Sequence, residues 1–362
     1  MPPGVTWVVT RLGADGTLRW ARRMGGSVGD LAFGIAASPD GGIVIAGETH
    51  GLTVEGLPPL VTRGSDAFVA WLAPDGTPRR LLGLGGDGED RAFSIAARPS
   101  GGWLVAGGTS STDLVPGHPA EGAMDGFAIA LGPEGRIEWQ RAVGGGGLDL
   151  LLSVTEGPYV VGITSSPVPA AGTARAQGHG GFDGLIGAMG DDGTMAWLHT
   201  VGDESDDYFY VARRAGHGVL AAGVTQSASQ RREGRYAPHV FRVPASGEPV
   251  SIWTACCVYY DYAVPVAPLD DGSFVIVSWL DAPSLDLGGI TIARSSPRIE
   301  AYAAEIDGRG RARWALSLGE ASPARRDFGP SLVAGRDGDL FVATPLWRDE
   351  GFDARVTRLR RP

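Results

Sequence analysis

An aspartate stands at the head of an apolar stretch at six places in the chain: Asp30, Asp90, Asp149, Asp207, Asp261 and Asp327. Carboxylates repeated at one structural position could ring an opening and hold a cation or a polar ligand. The alternative is that each accepts backbone N–H groups inside its own corner, as Asp does in turns. The densest acidic group, Asp203, Glu204, Asp206 and Asp207, lacks the spaced D-x-D-x-D-G loop of a calcium site, so no metal is expected. A second constellation is Cys256-Cys257, followed by Val258-Tyr259-Tyr260-Asp261-Tyr262. Adjacent cysteines can close only a strained ring that is readily reduced, a stiff platform or a redox switch; otherwise they are two packed thiols. Tyr208, Phe209 and Tyr210 stand at the matching place one unit earlier. Aromatic rings beside carboxylates suit a sugar or a cationic ligand.

Other chemistry is thinly represented. The histidines, His50, His118, His179, His199, His217 and His239, are dispersed without metal-ligand spacing, and loops or strand ends should leave most of them solvated. There is no G-x-S-x-G, P-loop or H-E-x-x-H, and no cofactor is expected.

The elements that must position these residues come from a repeat. In Asp66 to Thr109 an apolar strand (68–72) meets a Pro-Asp-Gly turn and a return strand. A Gly-Gly-acidic corner follows, then a third strand (93–97) and a fourth (103–107). The turn recurs with its glycine at Gly16, Gly76, Gly135, Gly193, Gly247 and Gly310, at intervals of 60, 59, 58, 54 and 63 residues. A period near 60 with four short strands describes propeller blades rather than a helical solenoid. Acid-Gly at the turn tip supplies the positive-φ position of a tight hairpin. The strand before the turn is apolar on both faces, Phe68, Ala70 and Leu72 on one, Ala67, Val69 and Trp71 on the other, so each sheet must be covered twice. Trp20, Trp139, Trp197, Trp253 and Trp314 recur past the turns and read as inter-blade packing, with Arg80 breaking the series. Long variable loops follow each fourth strand, and Gly51 to Ser65 and Leu285 to Arg298 carry apolar runs that suggest extra hairpins.

The expected fold is therefore all-β: a six-bladed β-propeller of four-stranded antiparallel blades forming a single domain over 1–362, with seven blades as the alternative. Its units fall at about 5–65, 66–124, 125–182, 183–237, 238–298 and 299–361. C-terminal strands and residues 5 to 24 would close it as a clasp. A surplus copy of the unit's first strand remains at 354–360.

Composition sets further bounds. The chain has 57 glycines and 25 prolines but is 43% hydrophobic, so glycine punctuates strands rather than marking disorder. A formal charge of −10 argues against nucleic acid as a partner, despite Arg355, Arg358, Arg360 and Arg361 near the end. Neither Lys nor Asn occurs, which removes any Asn-linked glycosylation site. No signal peptide or membrane span is visible, although a start almost inside a strand leaves room for a lost leader.

The pattern DAFVAWLAPDG…LGLGG…DRAFSIAARPSGGWLVAGGT resembles the bacterial SBBP-type β-propeller repeats, whose blades follow the style of NHL propellers. The likeness runs over residues 5 to 361. It is sharpest in the second unit and weakest in the last two, where Pro238-His239-Val240-Phe241 and Glu300-Ala301-Tyr302 replace the Asp-aromatic start. The resemblance implies that the third strand of each unit, 32–37 or 92–97 for example, is the innermost of its blade. It also implies a secreted or cell-surface setting.

The expected function is that of a non-catalytic binding or scaffold module, monomeric, presenting a loop face to a protein or glycan. A propeller enzyme, whether lyase, hydrolase or quinone-dependent oxidoreductase, is the alternative. The ligand-binding candidates are the six aspartates with Tyr208, Tyr210, Cys256, Cys257, Tyr259 and Tyr260; no residue is assigned as catalytic.

Overall fold

The computed structural model describes residues 7–25, 29–157, 159–226, 236–255, 264–320, 330–335, 339–348 and 351–360. The fold is an all-β, six-bladed β-propeller with antiparallel blades, and no helix occurs among the described residues. None, accordingly, is long and apolar enough to cross a membrane. Each of the first five blades takes four strands in sequence order. They are Leu31–Ala37, Ile43–Thr49, Asp66–Leu72 and Pro78–Leu84; Asp90–Ala97, Trp103–Thr109, Asp125–Leu131 and Ile137–Val143; Asp149–Val154, Tyr159–Thr164, Asp183–Met189 and Met195–Val201; Asp207–Ala215, Gly218–Thr225, Ala237–Val243 and Val250–Thr254; Val266–Pro268, Phe274–Leu280, Glu300–Ile306 and Ala312–Glu320. A blade thus begins at the corner aspartate, and the sequence repeat is offset from it by two strands.

The described part of the sixth blade is Ser331–Ala334, Leu340–Arg348 and Gly351–Leu359, while Trp7–Leu12 pairs with Leu18–Met24 as a hairpin. The surplus strand therefore has a place: it lies beside Leu340–Arg348, where the expected clasp would have used residues 5 to 24. Trp7–Leu12 and Gly351–Leu359 are copies of one strand, down to a shared Val-Thr-Arg-Leu. The copy that follows in sequence needs only a short turn, which keeps the entropy of closure low.

By its internal packing the chain divides into two compact units, one of 1–160, 164–178 and 187–198, the other of 161–163, 179–186 and 199–362. In the first, the two faces of the first blade are buried differently. Val44, Val69 and Trp71 pack with Ile95, Val105 and Phe127 of the second blade, while Ile45, Phe68 and Leu72 pack with Trp7, Val9 and Met24 of the hairpin. In the second unit, Leu220, Val240 and Trp253 pack with Phe274, Ile276 and Tyr302, and Val275 and Val277 with Leu332, Leu340 and Val342. The doubly apolar strands are covered on both sides, as their composition requires.

Two details explain the repeat's invariant features. Gly76 sits at φ 81° in its turn, and the indole of Trp20 lies on it: a Cβ there would come within 2.8 Å of the ring. Trp20 Nε1 donates to Pro74 O at 2.9 Å, and Trp139 Nε1 likewise to Asp191 O at 2.7 Å. Trp20 and Trp139 thus clamp another turn while staying half-exposed, whereas Trp253, 4% exposed, packs in the core as expected. Arg80, the exception, does the same work with its guanidinium, donating to the carbonyls of Glu134 and Gly135. Of the two loops expected to form hairpins, one does: Ser284–Asp286 pairs with Thr291–Ala293. Residues 51–65 form no paired strands: Leu57 N donates to Val54 O at 3.1 Å and Leu60 N to Leu52 O at 2.8 Å, and Pro58 and Pro59 offer no N–H to a ladder. A short hairpin appears instead at Ala170–Ala171 and Ala174–Arg175.

Candidate functional site

The corner aspartates are buried: Asp30, Asp90 and Asp149 are 0% exposed and Asp207 6%. Each is gripped locally. Asp90 accepts from Gly86 N and Ser111 Oγ, both at 2.8 Å, and from Thr109 Oγ1. Asp149 accepts from Gly145 N at 3.0 Å, Ser166 Oγ at 2.6 Å and Thr164 Oγ1. Asp30 accepts from Thr49 Oγ1 at 2.5 Å and His50 N at 3.3 Å, and Asp207 from Asp203 N at 3.1 Å. In Asp30, Asp90 and Asp149 the threonine donor ties the corner to the end of the second strand. The sequence signal was a Thr two residues past the small residue, as in Gly47-Glu48-Thr49, Gly107-Gly108-Thr109 and Gly162-Ile163-Thr164. Asp261, Asp327, Cys256, Cys257, Tyr259 and Tyr260 lie outside the described residues.

A second set of carboxyls, absent from the expected site, completes these corners. Asp66, Asp125 and Asp183 open the third strands and are buried. Asp125 accepts from Glu121 N at 3.0 Å and Asp183 from His179 N at 2.8 Å. A corner glycine lies between the two carboxyls. A Cβ on Gly144 would stand 2.4 Å from Asp125 Oδ1 and 3.0 Å from Asp149 Oδ2; on Gly202, 2.3 Å from Asp183 Oδ1 and 2.9 Å from Asp207 Oδ2. Oδ1 of Asp66 and of Asp125 is buried with no hydrogen-bond partner. Burial pushes the Asp125 carboxyl up to about 6, the Asp149 charge adding to it, and burial likewise raises Asp66, Asp90 and Asp149.

The corner of the fourth blade departs from this pattern. Where Leu150 and Leu152 follow Asp149, Tyr208 and Tyr210 follow Asp207. Spaced by two along a strand, they share a face. Their rings stack at 5.8 Å and 12°; Phe182 stacks on Tyr208 at 5.6 Å, and Tyr236 meets it at 6.1 Å. All four rings are half-buried, so each keeps part of its surface in solvent, while Tyr208, Tyr210 and Tyr236 also pack against the core beneath. The acidic run lies alongside, with Asp206 Oδ1 accepting from Phe182 N at 3.1 Å and Asp203 Oδ1 from Ser205 N at 2.8 Å. The structure therefore brings Asp207, Tyr208 and Tyr210 together and adds Phe182 and Tyr236. Neither was foreseeable, since both come from the ends of long loops.

Most of the histidines were expected to be solvated; His239 is 7% exposed in mid-strand. The register shows why: Gly223 pairs with His239 as Gly47 pairs with Phe68 and Gly107 with Phe127, so an imidazole occupies a core aromatic slot. Its Nε2 is 2.8 Å from Ser251 Oγ, its ring is 4.1 Å from that of Phe241, and burial lowers its pKa to about 4. Arg213 and Arg214, further along Asp207–Ala215, are exposed. Among the described residues no three His, Cys, Asp or Glu side chains are placed to hold a metal.

No protein-family model matches the chain, and no curated protein does. Among solved structures the chain is similar to a putative 6-phosphogluconolactonase from Bacteroides uniformis, at 10% identity and TM-score 0.44, with 99% of this chain and 100% of that one covered. It is also similar to a protein of unknown function from Dyadobacter fermentans, at 12% identity and TM-score 0.42, covering 98% and 83%. The WD40 β-propeller domain of Doa1 aligns at 10% identity and TM-score 0.35, covering 98% of each chain.

Proposed function

We propose that this propeller is a non-catalytic binding module whose fourth-blade corner takes a glycan, free or carried by a protein partner. The observation that carries the reading is the row of half-buried rings, Phe182, Tyr208, Tyr210 and Tyr236, set beside the acidic run 203–207. Sugar rings present C–H faces that stack on aromatic faces, and carboxylates accept from hydroxyl groups at the rim; a pre-stacked row loses little side-chain freedom on binding. The rigid blade beneath supplies the platform. Titrating oligosaccharides while following tyrosine and tryptophan fluorescence tests this. Saturable binding that Tyr210→Ala weakens by about tenfold is the expected result. Binding equal in Tyr210→Ala and the parent, or none across a broad glycan set, would defeat the reading.

A further inference from the structure

The corner that carries the aromatic row also holds a cavity of about 130 Å³, wholly inside the second compact unit. Its walls include Asp207, Tyr208, Phe209, Thr225, His239 and Phe241. The space is too small for a whole drug-sized ligand, for which ~300–1,000 Å³ is usual, and larger than the ~30 Å³ of one water. It matches a small polar group pushed in from the surface.

The cavity lies where the repeat departs from its own packing pattern. At the registered positions in the first and second blades, Phe68 and Phe127 are fully buried under Gly47 and Gly107, and their rings lie 2.7 Å and 2.5 Å from where a Cβ on those glycines would stand. His239 stands at the same register position, opposite Gly223, with a smaller, polar ring. A phenylalanine would pack more favourably there, so the histidine is a local loss of the kind that accompanies sites rather than cores.

The lining chemistry is one-sided. Asp207 contributes a carboxyl, Thr225 a hydroxyl, and His239, its pKa pulled down to about 4, a neutral imidazole at neutral pH. Tyr208, Phe209 and Phe241 contribute ring atoms, and among the described residues no arginine lines the space. Asp183, Asp203, Glu204 and Asp206 add negative charge close by in sequence or across Gly202. Acceptors, aromatic rings and a negative field together favour a cation that can donate hydrogen bonds.

We infer that this cavity seats a primary ammonium group, carried either by a small free amine or by an amino sugar lying on the aromatic row. The amino-sugar case rests on the glycan reading above; the free-amine case does not. An ammonium centre there donates to the Asp207 carboxyl and the His239 ring while the rings shield it from water.

Calorimetric titration of the full chain separates these outcomes, using methylammonium, glucosamine, glucose and acetate against the parent, His239→Phe, Asp207→Asn and Tyr210→Ala. Glucosamine should bind about tenfold more tightly than glucose, and methylammonium measurably where acetate does not. His239→Phe, which refills the slot, should abolish methylammonium binding and remove the glucosamine advantage. Asp207→Asn, which keeps shape and loses charge, is the second reading should His239→Phe fail to fold. Equal affinity for glucosamine and glucose, with no methylammonium binding, overturns the cavity inference while leaving the glycan reading intact. Methylammonium binding without any sugar binding does the reverse. Amine binding unchanged in both His239→Phe and Asp207→Asn also overturns it.

Discussion

Two corners of one repeat, built on Asp125, Gly144 and Asp149 in one compact unit and on Asp183, Gly202 and Asp207 in the other, share a frame and differ in what surrounds it. In each a glycine is held between two carboxyls, and the later aspartate accepts a backbone N–H from four residues back, Gly145 or Asp203. In the first corner Leu150 and Leu152 follow, and the third strand buries Phe127 completely. In the second, Tyr208 and Tyr210 follow, His179 joins Asp183 at 3.2 Å, and a cavity opens beside His239. The first corner spends its side chains on holding the fold. The second keeps the frame and gives up packing, which is where binding chemistry is expected in a repeat protein.

The contrast should be largest in the core. Phe127→Ala empties a fully buried site and should cost about 3–5 kcal/mol in urea unfolding, whereas His239→Phe fills a cavity and should stabilise by about 1–2 kcal/mol. A destabilising His239→Phe would show that the fourth-blade slot is already packed, and the comparison would lose its basis.

Next comes the hydrogen-bonded frame. Asp149→Ala strands the donors of Gly145, Thr164 and Ser166 in a buried corner and should cost about 3 kcal/mol. Asp149→Asn, which retains one acceptor oxygen, should cost less. If the two variants unfold at the same denaturant concentration as the parent, the corner aspartates are not structural.

The smaller effect is on pH. Asp125 is faced by Asp149 on the strand beyond Gly144 and by Glu121 in its own loop, and its carboxyl is raised from 3.8 to about 6. Between those values the folded protein keeps a proton that the unfolded chain has released. This group's stabilisation is therefore full below about 4, falls as pH rises towards and through 6, and stays lost above it, a change of about 3 kcal/mol. Asp125→Asn, compared with the parent by urea unfolding at pH 4, 5, 6 and 7, should remove that slope. Parallel pH profiles would show that Asp125 retains no proton in the folded protein over that range.

Much of the architecture was legible because the physics is local and repeated. The Asp-Gly turns, the doubly apolar strand of Phe68 to Leu72 and the spacing of Gly16, Gly76, Gly135 and Gly193 each state one unit's geometry, and repetition states the rest. The corner aspartates could be located for the same reason. Their partners were harder to see: Thr109 and Ser111 approach Asp90 only through strand pairing across the blade, and Asp66 reaches Gly85 only after the hairpin has folded. The aromatic row was half visible. Tyr208 and Tyr210 stand in the repeat, but Phe182 and Tyr236 arrive from loops whose course no periodicity encodes. His239 did not stand out among the dispersed histidines, and only the register against Phe68 and Phe127 reveals that it occupies a core position.

The central claim is that binding belongs to the fourth-blade corner and not to its repeats. Hydrogen–deuterium exchange with and without a bound oligosaccharide tests it directly, by comparing backbone amides 203–212 with the equivalent stretch 145–154. The account predicts slowed exchange across 203–212 and no change across 145–154. Equal protection of both stretches, or protection confined to 145–154, would contradict it.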